Sequence, residues 1–301
     1  MRNCCIWIFI VLFFASCGQS YQEKQRMTKA EKARLQREDS LSLKVALLPT
    51  LDCLPVYIAL DRHFFDTLGV DVHVRNMTAQ MDCDTALTRG RVEGAVSDLF
   101  RTERLIRKGT PLTYVAATNT YWQLITNRTA RIRRLGQLSD KMVAMTRYSA
   151  TDYLAGLAIK KGNPKYDVYR IQINDVNVRL NMLLNNEMDA MMLTEPQATI
   201  ARVHNNPVLF DSRDLKVNLG VIAFRTKALK DPNRKAQLAL FVKAYNRACD
   251  SINQLGYTKY GDILKKYYKL DDHVIKALPK MTFPHAAAPL PKDINIAKRK
   301  L

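Results

Sequence analysis

Several residue patterns that carry covalent, metal or cofactor chemistry are missing from this 301-residue chain. It has no CxxC pair, and its histidines are dispersed, which is not the spacing of a metal site. It has no GxSxG, P-loop or GxGxxG motif, so nothing indicates a serine hydrolase, an NTPase or a dinucleotide-binding enzyme. No histidine stands beside a candidate nucleophile. We therefore expect no catalytic residue, no metal and no cofactor.

Patterns typical of nucleic-acid binding are also absent, although the chain is strongly basic. Lys and Arg number 47 against 28 Asp and Glu, for a formal net charge of +19. The basic residues are scattered through both halves, without zinc-finger spacing and without interleaved aromatics. The charge therefore predicts a solvated basic surface near an anionic cell envelope, and no nucleic-acid partner.

The N-terminus lacks an apolar run of the roughly 20 residues that a spanning helix needs. Its apolar residues 6–14 follow Arg2 and precede Ala15 and Ser16, which is the order of a secretory signal peptide. The letters FASC before Gly18 resemble a bacterial lipobox, and this resemblance implies that Cys17 is lipidated. Residues 1–16 are predicted to be a signal peptide; a plain signal peptide or an uncleaved anchor is the alternative.

Residues 18–42 are polar and charged, with almost no apolar side chains. Such a segment cannot bury enough surface to fold by itself. We interpret residues 17–42 as a lipidated tether that holds a folded body at a membrane. A helix over residues 28–38 fits this interpretation. The lipid anchor then makes the membrane contact, and the protein lies in the cell envelope, facing the periplasm or the exterior.

Residues 44–74 predict a strand, a loop, a helix and a second strand. An apolar run at residues 45–48 is followed by a helical pattern from residue 55, and valines then alternate at residues 70–74. The loop between strand and helix lies at the strand's carboxyl end, where open parallel sheets bind ligands. The loop residues predicted to contact a ligand are Asp52, Cys53 and Leu54.

The same alternation of strands and helices continues to about residue 218 and then stops. Short connections between alternating elements predict right-handed crossovers and a parallel sheet in each of two α/β lobes. After residue 219 one strand precedes helices and a proline-containing tail, which is predicted to be irregular. We expect this segment to cover the first lobe, so residues 43–120 plus 219–301 form lobe 1 and residues 121–218 form lobe 2.

Three cysteines remain beyond the N-terminal segment, Cys53, Cys83 and Cys249. Cys53 and Cys83 follow neighbouring predicted strands, whose loops lie side by side in a parallel sheet. A disulfide between Cys53 and Cys83 is therefore predicted for an exported protein. Cys249 lies on the apolar face of a predicted helix and is expected to be a small buried hydrophobe.

Four segments in order resemble the substrate-binding proteins of bacterial ABC importers, in the branch that binds sulfonate, nitrate and thiamine precursors. They read VALLPTLDCLPVYIALDRHFFDTLGVDVHV, GRVEGAVSDLFRTERLIRKG, LGQLSDKMVAMTRYSATDYLAG and LLNNEMDAMMLTEPQATIA. The resemblance implies the two-lobed α/β fold of type II periplasmic binding proteins, with a ligand cleft between the lobes. It also implies a monomer whose partners are a small-molecule ligand and an ABC permease, and whose hinge closure signals to that permease.

Further ligand contacts are predicted where strands end and helices begin. Ser149, Ala150 and Thr151 open a helix, and amide groups at a helix N-terminus suit an anionic group; alternatively, Ser149 or Thr151 only caps the helix. Asp98 ends a strand and either contacts a cationic or amide group or caps the next helix.

Of three more candidates, one faces the predicted cleft and two lie at the crossover between the predicted lobes. Glu195 ends a strand, and either binds an amine or ring nitrogen or serves the hinge. Tyr121 and Trp122 either stack on a planar ligand or pack the hinge. Acidic and NH-rich walls together suit a zwitterion or a heteroaromatic ligand better than a plain anion. We interpret the protein as a solute-binding lipoprotein of an importer; the alternatives are a biosynthetic enzyme on the same fold and a sensor lipoprotein without a transporter.

Overall fold

The computed structural model describes residues 29–300, and two five-stranded sheets organise the part from residue 43 onward. The predicted signal peptide and Cys17 lie outside the described residues. The strands are β1 (Leu43–Leu47), β2 (Val72–Asn76), β3 (Gly94–Asp98), β4 (Leu112–Thr118), β5 (Gln123–Thr126), β6 (Met142–Met145), β7 (Tyr169–Gln172), β8 (Ala190–Leu193), β9 (Val208–Asp211) and β10 (Gly220–Arg225).

Helices alternate with most of these strands and continue after the last one. The α-helices are α1 (Lys29–Leu41), α2 (Leu54–Asp61), α3 (Phe64–Thr67), α4 (Gln80–Thr88), α5 (Leu99–Arg107), α6 (Ala150–Gly162), α7 (Val176–Leu184), α8 (Gln197–Val203), α9 (Pro232–Leu255), α10 (Gly261–Tyr268), α11 (Asp272–Ala277) and α12 (Pro291–Lys300). Helix α1 is polar and lies within the predicted tether. No helix among residues 29–300 has both the length and the apolar character needed to cross a bilayer.

The two sheets have the orders β2–β1–β3–β10–β4 and β7–β6–β8–β5–β9. The prediction of parallel sheets is right for β1, β2 and β3 and for β6, β7 and β8. It is wrong for one strand in each sheet, because β10 runs antiparallel to β3 and β4, and β5 runs antiparallel to β8 and β9. The chain leaves the first sheet after β4 and returns only at β10, so each sheet receives a strand in the opposite direction.

Each sheet belongs to one lobe. The first sheet takes its strands from residues 43–118 and 220–225, and the second from residues 123–211. The exact lobe boundaries stay predictions. Two short connections, residues 119–122 and 212–219, join the sheets, which is the arrangement that a hinge requires.

The core of the first lobe lies between its sheet and the C-terminal helices. Phe241 of α9 stacks on Phe65 at 5.5 Å and meets Phe224 of β10 edge-on at 5.6 Å between ring centroids. Gly94 begins β3 against this cluster, and a Cβ atom there would lie 2.6 Å from the Phe224 ring. The close approach of strand and ring therefore depends on the missing side chain.

The proline-containing tail is irregular over residues 278–290, as predicted, but its last residues form a helix. Pro291 is the first residue of α12, where its fixed φ and missing N–H are tolerated. Ala297 of this helix is fully buried in a cluster with Leu99 and Phe100 of α5 and with residues of the second lobe. Helix α12 therefore packs on α5 of the first lobe, and the extent to which the tail covers that lobe stays a prediction.

Candidate functional site

A cavity of about 20 Å³ lies between the two lobes, large enough for about one water molecule. It receives residues from the ends of β1, β3 and β8 and from α5 and α7. Three of the sequence-predicted residues line it, namely Asp52, Asp98 and Trp122. The other lining residues are Leu48, Thr50, Gln80, Val96, Ser97, Arg101, Thr120, Val176, Arg179 and Thr194.

Hydrogen bonds between the lobes keep this cavity small. Asp98 Oδ1 on the first lobe accepts the N–H of Ala150 on the second at 3.0 Å. Three backbone bonds cross the same interface: Leu51 N–H to Glu195 O (2.9 Å), Gln80 N–H to Asn174 O (3.2 Å) and Val176 N–H to Thr78 O (3.1 Å). The structure is therefore a closed conformation, and a ligand larger than water enters only if the lobes separate.

Arg101 is buried, and the carboxylates of Asp84 and Asp98 lie beside its positive charge. Its Nε and Nη2 donate to Asp84 Oδ1 at 3.0 and 2.6 Å, and Nη2 also donates to Gln80 O at 2.6 Å. Its Nη1 lies 3.9 Å from Asp98 Oδ2. Burial acts to lower the pKa of Arg101, but the two carboxylates outweigh it and raise that pKa.

Arg179 is also buried, but no carboxylate pairs with its guanidinium among the described residues. It is 2% exposed, and its Nη1 donates to Met192 O at 3.0 Å, but its Nε has no partner. Among the described residues no carboxylate lies within 4.0 Å of its guanidinium. Burial lowers the pKa of Arg179 to about 10, against the attraction of the more distant Asp175. A buried, unpaired guanidinium on a cavity wall is suited to an anionic or strongly accepting ligand group.

Four buried polar atoms without a hydrogen-bond partner belong to residues that line this one cavity. They are Gln80 Oε1, Ser97 Oγ, Asp98 Oδ2 and Arg179 Nε. Burial raises the pKa of Asp98 to about 6, opposed by Arg101. Buried polar atoms are nearly always paired in folded proteins, so this concentration indicates a place for a bound polar molecule. These four atoms include both hydrogen-bond acceptors and donors, which suits a ligand that both donates and accepts hydrogen bonds.

The first predicted loop contributes one of its three candidates. It is a 3₁₀ turn, Leu51–Cys53, in which the Asp52 carboxylate accepts from Thr50 Oγ1 at 2.6 Å and from Thr118 Oγ1 at 3.2 Å. Burial raises the pKa of Asp52. Cys53 and Leu54 are fully buried in the core of the first lobe and do not line the cavity. Their predicted ligand contacts are not made in this closed conformation and stay predictions.

The predicted disulfide is absent, because Cys53 and Cys83 are both free thiols. Cys83 lies inside α4 and not in a loop. Cys53 Sγ lies 3.7 Å from Thr50 Oγ1 within its own turn. Burial raises the pKa of both thiols, that of Cys83 to about 11. They are therefore protonated and poor nucleophiles at neutral pH.

The helix entrance at residues 149–151 is occupied by the chain itself. Ser149 Oγ accepts the N–H of Thr151 at 3.1 Å, so the capping alternative holds for Ser149. Thr151 Oγ1 accepts the N–H of Thr146 at 2.9 Å. The amide of Ala150, predicted to bind an anionic ligand, binds the carboxylate of Asp98. That carboxylate also caps α5 through the N–H of Arg101.

Glu195 and Tyr121 form a buried network at the hinge, outside the cavity lining. Tyr121 Oη donates to Glu195 Oε1 at 2.6 Å, and Arg202 Nη2 donates to the same oxygen at 2.7 Å. Thr199 donates to Oε2 from its N–H at 3.0 Å and its hydroxyl at 2.6 Å. Arg213 lies 4.1 Å over the Tyr121 ring. Both carboxylate oxygens of Glu195 accept hydrogen bonds from the protein itself. In this structure Glu195 and Tyr121 therefore have the hinge role that was the alternative to ligand contact.

The two arginines of the site were not predicted from sequence. One of them had a usable signal, because Arg179 shares the helical spacing of Val176, Leu180 and Leu183 and so lies on the buried face of α7. No local sequence pattern indicated Arg101, since its partner Asp84 is 17 residues away on another helix.

The family model described as NMT1/THI5 like matches residues 50–254, which is more than half of the chain. The chain belongs to the NMT1/THI5-like family. A search of curated proteins finds no match.

Several solved structures have the same fold as this protein. The alkanesulfonate-binding protein SsuA from Xanthomonas axonopodis pv. citri, bound to MOPS, has a TM-score of 0.72 at 14% identity, over 86% of this chain and 91% of that one. The ligand-binding component of an ABC-type import system from Staphylococcus aureus, with zinc bound, has a TM-score of 0.69 at 14% identity, over 86% and 91%. The periplasmic nitrate-binding protein NrtA from Synechocystis PCC 6803 has a TM-score of 0.68 at 15% identity, over 79% and 69%. The predicted two-lobed periplasmic-binding-protein fold is confirmed.

Proposed function

We propose that this protein is an extracytoplasmic solute-binding protein that captures a small polar ligand between its lobes and delivers it to an ABC importer. The observation that carries the proposal is the set of four unpartnered buried polar atoms around the interlobe cavity. Sulfonate- and nitrate-binding proteins of importers have the same fold.

The ligand that fits these atoms has two different ends. One end is anionic or strongly accepting and faces Arg179 Nε, and the other carries N–H donors for Asp98 Oδ2 and Gln80 Oε1. Trp122 lines the same cavity, and an indole ring can stack on a planar ligand. A small zwitterion or a nitrogen heterocycle with an acidic group meets all these conditions, whereas a plain anion would face the Asp98 carboxylate.

A thermal-shift screen of sulfonates, nitrate, amino acids, pyrimidines and vitamins tests the proposal. A ligand at 100 times its Kd should stabilise the protein by about 2.7 kcal/mol, which raises Tm by roughly 5–10 °C. Arg179→Met should lose this ligand-dependent shift. The control Arg91→Met, at an exposed position, should keep it. If no compound shifts Tm, or if Arg179→Met responds like the control, the interlobe site is refuted.

We also propose that a lipid on Cys17 anchors the protein to the membrane and that residues 17–42 are its tether. The FASC sequence before Gly18 supports this. Mass spectrometry of the exported protein should find an N-terminal peptide that begins with diacylglyceryl-Cys17. The Cys17→Ser variant should appear in the soluble fraction. An unmodified Cys17 in the wild type would refute the anchor without affecting the ligand site.

A further inference from the structure

A second, larger recess lies at the outer edge of the lobe interface, centred on Tyr148. Three open hollows of about 320, 240 and 320 Å³ share this residue as lining. Their sizes are those of sites for small organic molecules, unlike the cavity of about 20 Å³ between the lobes. We call the recess the Tyr148 groove.

The Tyr148 groove is strongly cationic. Its basic side chains come from both lobes, and the one acidic residue among its lining is Asp152, which pairs with Arg170 at 2.8 Å. Arg147 and Lys160 have no hydrogen-bond or ion-pair partner in the described part of the chain. The basic lining residues are Arg104, Arg107, Lys108, Arg147, Lys160 and Arg170, with Lys300 at the end of α12.

Tyr148 is held exposed at the centre of these charges. The residue is 53% exposed, and the Arg104 guanidinium lies 4.4 Å from the ring centroid. Its φ of +58° is left-handed, a conformation that is unfavourable for a bulky residue. The Asp152 carboxylate accepts the N–H of Tyr148 at 2.9 Å and fixes this turn. Backbone strain of this kind, supported by its surroundings, is typical of functional positions.

The floor of the groove joins the two lobes. Phe100 of α5 stacks on Tyr153 of α6 at 4.6 Å between ring centroids, and both rings line the groove. An occupant would therefore contact both lobes outside the central cavity and stabilise their closed arrangement.

We propose that the Tyr148 groove binds an organic anion that has a planar ring and at least two negative charges. The ring stacks on Tyr148, and the charged groups pair with Arg147, Lys160 and the arginines of α5. Stacking and charge pairing are both needed, because exposed charges alone give weak binding that salt screens. This site is separate from the interlobe cavity and does not depend on the ligand proposed for it.

The test measures binding of naphthalene-1,5-disulfonate by calorimetry, with ethane-1,2-disulfonate as the probe of equal charge without a ring. The wild-type protein should bind the aromatic probe about fivefold or more tightly than the aliphatic one, and added salt should weaken both. Tyr148→Asn, in which Asn tolerates the left-handed backbone, should remove this preference.

Matched charge variants distinguish the groove from general attraction to a basic protein. Arg147→Gln with Lys160→Gln should weaken binding of the aromatic probe by about tenfold. Lys235→Gln with Lys276→Gln removes the same charge at exposed positions elsewhere and should leave affinity nearly unchanged. Arg179→Met should also leave it unchanged.

Three results would overturn the proposal. They are no binding of the aromatic probe at millimolar concentration, equal weakening by both double variants, and loss of binding in Arg179→Met. The last would place the probe in the interlobe cavity.

Discussion

Replacing the buried Arg179 with Met should stabilise the ligand-free protein while it removes ligand binding. The fall in the pKa of Arg179 from its ordinary value to about 10 corresponds to about 3 kcal/mol of destabilisation by the charged form. Because the folded pKa is the lower one, this cost is complete below about pH 10 and is relieved only as pH rises further. The substitution also removes the hydrogen bond to Met192 O, which offsets about 1 kcal/mol of the expected gain in stability. The net gain at pH 7 is therefore about 2 kcal/mol, or a Tm higher by roughly 4–8 °C.

Arg101→Met is the matched control for this prediction, since the same substitution is made at an equally buried arginine beside the same cavity. Removing Arg101 leaves Asp84 and Asp98 buried without their guanidinium. Breaking such a pair should destabilise the protein by about 4 kcal/mol. The two substitutions are therefore expected to shift stability in opposite directions.

Urea unfolding at pH 7, followed by circular dichroism, measures both variants against the wild type. A loss of similar size in both would refute the reasoning, because it would mean that Arg179 is compensated as well as Arg101 is. A gain in Arg179→Met together with retained ligand-induced stabilisation would show that Arg179 is unpaired but does not contact the ligand.

Three other substitutions test separate parts of the structure. The pKa of Asp98, raised by burial to about 6, means that its contribution to stability is present near pH 4 and is lost as pH rises through 6. Asp98→Asn should therefore reduce the change in unfolding free energy between pH 4 and 7 relative to the wild type, and an unchanged pH profile would contradict the raised pKa. Glu195→Ala should destabilise the hinge by about 3 kcal/mol, because it strips Arg202 of its carboxylate partner, yet ligand affinity in the surviving folded protein should change less than in Arg179→Met. Gly94→Ala should cost about 1–3 kcal/mol by urea unfolding through overlap with Phe224; a neutral result would show that the ring moves aside.

The local elements were predictable from the sequence because their signals are local. The strand predicted around the apolar run at residues 45–48 is observed as β1, Leu43–Leu47, and the helix predicted from residue 55 is observed as α2, Leu54–Asp61. Apolar spacing within a single helix or strand is sufficient for such predictions. The order and direction of strands were harder, since nothing within β10 indicates that it enters between β3 and β4.

The site was only partly predictable, for a similar reason. Asp98 ends β3 as predicted, and Glu195 follows the end of β8 by two residues, but their roles depend on residues far along the chain. Asp98 binds the amide of Ala150, 52 residues later, and Glu195 binds the hydroxyl of Tyr121, 74 residues earlier. Whether a carboxylate faces a ligand or another part of the chain is decided by the packing of the lobes, which one sequence does not reveal.

The position of β10 also sets the order in which the lobes can be completed. Every strand of the second sheet lies within residues 123–211, whereas the first sheet needs β10 between β3 and β4. A growing chain that has reached residue 219 can pair all of the second sheet, but β3 and β4 still present open edges of the kind that promote aggregation. The second lobe is thus the half that a separate fragment should reproduce. The first lobe should fold alone only if a linker brings β10 back to follow β4 directly.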